Sequence, residues 1–156
     1  MSGPQPRSDR WLARDRIVVA GALLLAVAVF GVSWYRHATV RSTTFDLGVF
    51  DQALWKLSHG QTPTVTTIGW NIFADHGSPV LLLFVPLFRL AASPLWLFAA
   101  QAAAAAFGLL ALAPLLDACG LTNRWLRRAF TIAYIAGPLL WNATIYDFHP
   151  TTLAVP

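Results

Sequence analysis

Three short stretches carry most of the residues that could do chemistry in this chain. The first is Phe45-Asp-Leu-Gly-Val-Phe-Asp-Gln-Ala-Leu-Trp55, continuing to His59, with carboxylates at Asp46 and Asp51. The second is Asp75-His76 and the third Asp147-Phe-His149. A carboxylate within hydrogen-bond reach of a hydroxyl can act as its general base, which makes Asp46, Asp51 and Asp147 candidate catalytic groups. Asp46 equally suits a structural role: at a helix start it would be an N-cap whose carboxylate accepts backbone N–H bonds. His76 and His149 could bind substrate or a metal, since neutral imidazole is a common ligand. Their spacing contains no HExxH or CxxC signature, and a hydrogen-bonded interfacial histidine is the plainer alternative. Arg89 is a candidate phosphate contact, because a guanidinium pairs with phosphate oxygens two at a time; the alternative is an arginine reaching from a membrane end to water. Gln52 joins His76, Arg89 and His149 in the candidate substrate-binding set. His37 and His59 read as surface residues.

The elements that must position these groups belong to a membrane. Only 12% of the 156 residues are charged, against about 25% in a soluble domain, and mean hydropathy is +0.56. The formal charge of +4 forms no basic stripe, which argues against a nucleic-acid partner. All seven acidic residues are aspartates, and the single cysteine, Cys119, excludes an internal disulfide and a thiolate metal cluster.

Residues 1–16 form a polar tail with Arg7, Arg10, Arg14 and Arg16. The uncharged run 17–35, about 19 residues, matches a ~30 Å hydrocarbon core and ends in Trp34-Tyr35. An outer loop, 36–78, follows. Within it Leu47, Phe50, Leu54 and Leu57 recur at helical spacing, broadened by Val49 and Ala53, which predicts an amphipathic interfacial helix ending at Gly60. Residues 79–90 are apolar but short, as expected of a re-entrant segment or short span. Runs at 94–116 and 129–145 complete about three spanning helices, the alanine-rich centre of the second suiting close helix packing. The arginines before residue 17, together with Arg124, Arg127 and Arg128, predict a multi-pass cell-membrane protein with a cytoplasmic N-terminus. If 79–90 does not cross, as the placement of the arginines favours, every Asp and His named above falls on the outer face; if it crosses, Asp147 and His149 fall on the inner one. The stretch 151–156 reads as the start of another element, so the chain is expected to be the N-terminal part of a longer protein, completed by further helices or a partner subunit.

The combination Phe45-Asp-Leu-Gly-Val-Phe-Asp-Gln-Ala-Leu-Trp55, Asn71-x-Phe-x-x-His76 with Pro79, and Asp147-Phe-His-Pro150 resembles a bacterial and archaeal family of polytopic membrane proteins of unknown function. The layout is similar, more distantly, to GT-C glycosyltransferases, in which an acidic residue on an outer loop precedes a membrane-parallel helix. That resemblance implies a polyprenyl-phosphate-linked sugar as substrate and Asp46 as the base. It also puts His76 near a position where some members carry a metal-binding carboxylate, and Asp147 near a second outer acidic residue. The histidine at 76 departs from that pattern, and a divalent metal is the one cofactor left open. The expectation is an all-α transmembrane bundle, the N-terminal part of a GT-C-like fold. Its expected function is that of a sugar transferase; the alternative is a non-enzymatic membrane protein, either a transporter half or an assembly subunit.

Overall fold

The computed structural model describes residues 8–42, 45–145 and 147–154, with side chains from residue 18 onward. Arg7, the side chains of Arg10, Arg14 and Arg16, and Tyr146 lie outside the described residues. The described part is helical. Its elements are α1 (Ser8–Ala38), α2 (Asp46–Ser58), α3 (Ile72–Asp75), a 3-10 turn Pro79–Phe84 leading into α4 (Val85–Leu90), α5 (Leu95–Ala118), α6 (Arg124–Ala136), α7 (Pro138–Ile145) and a final 3-10 turn Pro150–Ala154. Among the described residues extended pairing is limited to the isolated bridge between Thr64 and Asn71.

Two helical stretches, Val18–Ala38 and Leu95–Ala118, are long and apolar enough to cross a bilayer. They pack antiparallel. Gly21 faces Leu109 near one end, and the His37 ring meets the Phe98 edge at 5.6 Å near the other. The seam between them is made of Ala22, Leu25 and Val29 against Ala102, Ala105 and Leu109. Alanines at the contact let the two backbones approach closely, which is how helices gain packing energy where lipid offers no hydrophobic contrast. α1 starts nine residues before the apolar run expected at 17–35, since nothing from 8 to 16 is proline or glycine.

The third expected span, 129–145, is not one helix. It is split into α6 and α7 at Gly137-Pro138. Pro138 has no N–H to give to the carbonyl four residues back, and its ring crowds that carbonyl. Gly137 takes an extended conformation, and a Cβ there would lie 2.7 Å from the Ala133 carbonyl oxygen. The Trp141 indole N–H donates to the Ile135 carbonyl (2.6 Å), satisfying a group the break exposes. The split pair still runs back along the whole of α5. Arg127 bonds the Ala113 and Leu121 carbonyls and pairs with Asp117, Tyr134 donates to the Ala105 carbonyl (2.9 Å), and Gln101 reaches the Asp147 carbonyl (3.1 Å).

Gly108 is what admits Tyr134. A Cβ at 108 would sit 2.1 Å from the tyrosine oxygen. Gly108→Ala is therefore expected to expel the ring and lose its bond to Ala105, at a cost of about 1–3 kcal/mol. Denaturation in mixed micelles checks this, with Gly31→Ala, which meets nothing within 4 Å and gains only alanine's helix propensity, as the control.

The other half of the core lies beyond the α1–α5 seam. The expected amphipathic helix forms at α2, but its apolar stripe is covered by protein. Leu47, Val49, Phe50, Ala53 and Leu54 are buried against Leu81, Phe84, Phe88, Leu97, Phe98 and Phe148. The stretch Pro79–Leu90 is helical throughout and supplies Leu81, Phe84 and Phe88 to that contact.

Candidate functional site

α2 delivers Asp46 at one end and Ser58 at the other. Phe45, not Asp46, holds the N-cap position, with helical dihedrals and no side-chain capping bond. Asp46 is the first helical residue, where a negative charge is favoured by the helix dipole. The capping role expected of its carboxylate thus falls away.

The loop after α2 brings in the second motif. Gln52 Oε1 accepts from the Thr66 amide (2.9 Å) and hydroxyl (3.1 Å), and Lys56 donates to the Thr64 carbonyl. The chain reverses through Gly69 at φ +81, which a side chain would oppose. Asn71 then caps α3 by accepting from the Phe73 amide (3.0 Å). That single turn ends at His76, whose ring stands edge-on to Phe50 at 5.2 Å. His76 Nδ1 lies 2.9 Å from Asp75 Oδ2, out of line for a hydrogen bond, so the two make a close polar contact.

The third motif returns along α5. Gln101, 1% exposed, donates to the Asp147 carbonyl and to Thr152 Oγ1 (3.2 Å), and Thr152 donates to the His149 carbonyl (2.6 Å). This tie holds Phe148 edge-on to Phe50 at 5.4 Å and brings His149 Nε2 within 3.6 Å of Asp46 Oδ1. The His149 and His76 rings are 6.4 Å apart. Asp46, Asp75, His76 and His149 therefore form one partly open cluster around Phe50. Among the described residues no group of three or more His, Cys, Asp or Glu comes together as a set of metal ligands.

The remaining candidates lie elsewhere. Asp147 is buried and lines, with Ser33, Arg36, Ser42, Gln101 and Thr144, a cavity of about 10 Å³, enough for one water. Arg36 Nε and Gln101 Oε1 are buried there without a hydrogen-bond partner. Arg89 donates to the Ser58 carbonyl (3.0 Å), at the end of α2 away from Asp46. Twelve helical steps separate the two ends, about 18 Å. Gln52 is engaged with the loop rather than the cluster.

Asp51 feels the charge of His37, a residue read as a surface histidine, while its own Oδ1 is buried without a hydrogen-bond partner. His37 is half-buried, bonded to Ser42 Oγ (3.1 Å) and set against Phe98. The signal that could have placed it is position: it lies in the last turn of a membrane helix, where the chain turns back. That turn closes through Val40 at φ 56, with the Arg41 amide donating to the Arg36 carbonyl (2.7 Å). Burial pushes the Asp51 carboxyl above its ordinary 3.8, and the His37 charge pulls it partly back. Because its folded value is raised, ionisation disfavours folding: the stability is whole below the unfolded value and is lost as pH rises through the folded one. Asp51→Asn is thus expected to raise the melting temperature at neutral pH and to leave it unchanged below about pH 3.8. A thermal melt at both pH values checks the sign.

The family model described as "Predicted membrane protein (DUF2079)" matches residues 36–156, which include all three motifs. No curated protein and no solved structure matches the chain. With two helices able to cross a bilayer and a family match over most of its length, the chain belongs to the DUF2079 family of membrane proteins.

Proposed function

We propose that this protein is a GT-C-like glycosyltransferase that uses a polyprenyl-phosphate-linked sugar, with Asp46 as the base. The observation that carries this reading is the 3.6 Å approach of His149 to Asp46, two side chains from distant parts of the chain meeting at a partly open surface. In the reaction Asp46 takes the proton of an acceptor hydroxyl. The freed oxygen bonds to the anomeric carbon, the bond from that carbon to the lipid phosphate oxygen breaks, and the electron pair leaves with the phosphate. His149 orients the Asp46 carboxylate, and His76 with Asp75 borders the same opening. The base and the departing phosphate must both lie within a few ångströms of one carbon, so Arg89, about 18 Å along α2, does not serve this step.

The cluster faces the outer side in this reading, with the N-terminus cytoplasmic. Arg124, Arg127 and Arg128 gather at the opposite end of α5, which supports that orientation by the positive-inside rule. A transporter half would need a polar route at mid-depth. Ser33 instead donates to the Thr144 carbonyl, Gln101 is tied to the last turn, and the cavity between them has room for about one water. That favours the transferase.

The test gives a radiolabelled hexose on a polyprenyl phosphate to membranes carrying this chain together with the further helices or partner subunit expected to complete it, with cell-envelope acceptors present. Transfer above that of membranes lacking the chain is expected. Equal transfer with every donor sugar tried overturns the reading.

A further inference from the structure

At the Ser58 end of α2 lies a groove of about 610 Å³, lined by Trp55, Ser58, His59, Phe88, Arg89 and Leu90 among others, and by no acidic residue. Its two basic side chains are held in place. Arg89 uses Nε on the Ser58 carbonyl, and no other bond engages its guanidinium among the described contacts, so the two terminal nitrogens remain to pair with an anion. His59 stacks on Trp55 with ring centroids 4.3 Å apart and uses Nδ1 on the Trp55 carbonyl (2.7 Å) and Ser58 Oγ, which leaves Nε2 outward.

The surroundings say what kind of anion fits. Leu90 is 80% exposed and Trp55 41%. Ala91, on the groove wall, accepts from the Trp96 indole (3.0 Å), and Trp96 stands in the first turn of α5. The groove thus sits where the second membrane-crossing helix begins, at the depth where tryptophans meet lipid headgroups. A soluble phosphate would use Arg89 and His59 but leave the apolar rim bare. A phospholipid uses both.

We propose that this groove binds the phosphate of an anionic membrane lipid. The terminal nitrogens of Arg89 hold two phosphate oxygens, the imidazolium form of His59, which keeps Nδ1–H on the Trp55 carbonyl and carries a second N–H at Nε2, donates to a third, and the acyl chains leave over Leu90. The site is separate from the Asp46 cluster and does not depend on the transferase reading.

The test is lipid retention by the full chain in detergent, measured by native mass spectrometry. Dioleoylphosphatidylglycerol is compared with dioleoylphosphatidylcholine, with inorganic phosphate as competitor. Wild type should retain phosphatidylglycerol about fivefold over phosphatidylcholine. Arg89→Gln and His59→Gln should each reduce that preference, and excess inorganic phosphate should not. Equal retention of the two lipids by wild type overturns the proposal, as does displacement by inorganic phosphate, which would make the ligand a soluble anion. If Arg89→Gln does not fold, because Arg89 also ties Ser58, the exposed His59→Gln decides: an unchanged preference overturns the proposal. No sugar or acceptor is present, so failure here is distinct from failure of the transferase assay.

Discussion

Replacing Phe50 with alanine is expected to lower the unfolding free energy by about 3–5 kcal/mol, the usual loss for a large aromatic taken out of a core. Phe50 is 1% exposed, and its ring edges meet His76 at 5.2 Å, Phe148 at 5.4 Å and His149 at 6.2 Å. Edge-to-face contacts of this kind add about 0.5–1.5 kcal/mol beyond the buried area. The consequence reaches past stability, because the ring is the wall on which both histidines rest. Phe50→Leu keeps most of the volume and should recover much of the stability, while leaving the histidines less ordered. Leu54→Ala separates the two effects: Leu54 is equally buried, one turn further along α2, and carries no ring for the histidines to rest on. Denaturant unfolding of the three variants is the measurement. A loss under about 1 kcal/mol for Phe50→Ala would show that other contacts hold the site walls.

Asp46→Asn should remove about 10²–10⁴-fold of the sugar-transfer rate, the usual contribution of a positioned general base. Asparagine keeps the size and polarity of the side chain but cannot take a proton. Insertion and melting temperature should hardly move, because Asp46 is not the N-cap residue of α2 and its side chain is partly open to water. His149→Gln is a positioning change, so it should lower kcat while leaving KM near its original value. Full activity in Asp46→Asn would exclude it as the base.

The helical character of the chain and its two long spans are legible because they rest on local signals. Hydropathy marks α1 and α5, and the spacing of Leu47, Phe50 and Leu54 marks α2 and its buried face. The split at Gly137-Pro138 is written in the sequence too, but a hydropathy average runs straight across it, because the residues on both sides are apolar. The Asp46 cap is misjudged by one residue, the ordinary uncertainty of a helix start. The site depends on long-range facts. That Asp147-Phe-His149 returns beside Asp46 follows from the length of α5 and from the tie made by Gln101, which in the sequence is one polar letter in an alanine run. Arg89 and Asp46 look like partners when both are assigned to one face. Only the length of α2 shows that they stand at opposite ends of it. The covering of the α2 stripe by Leu81, Phe84 and Phe88 is equally out of reach, since an apolar stripe reads the same whether lipid or protein meets it.

The meeting of three motifs on one phenyl ring has a consequence for descent. Segments from α2, from α3 and from the turn before Pro150 present Phe50, His76 and Phe148 to each other. None of them can drift alone, because a change in one alters the shape that the other two must fit. Relatives should therefore inherit these stretches as a set, with paired changes at 50, 76 and 148. A chimera that imports one motif from a divergent relative should fold worse than one that imports all three.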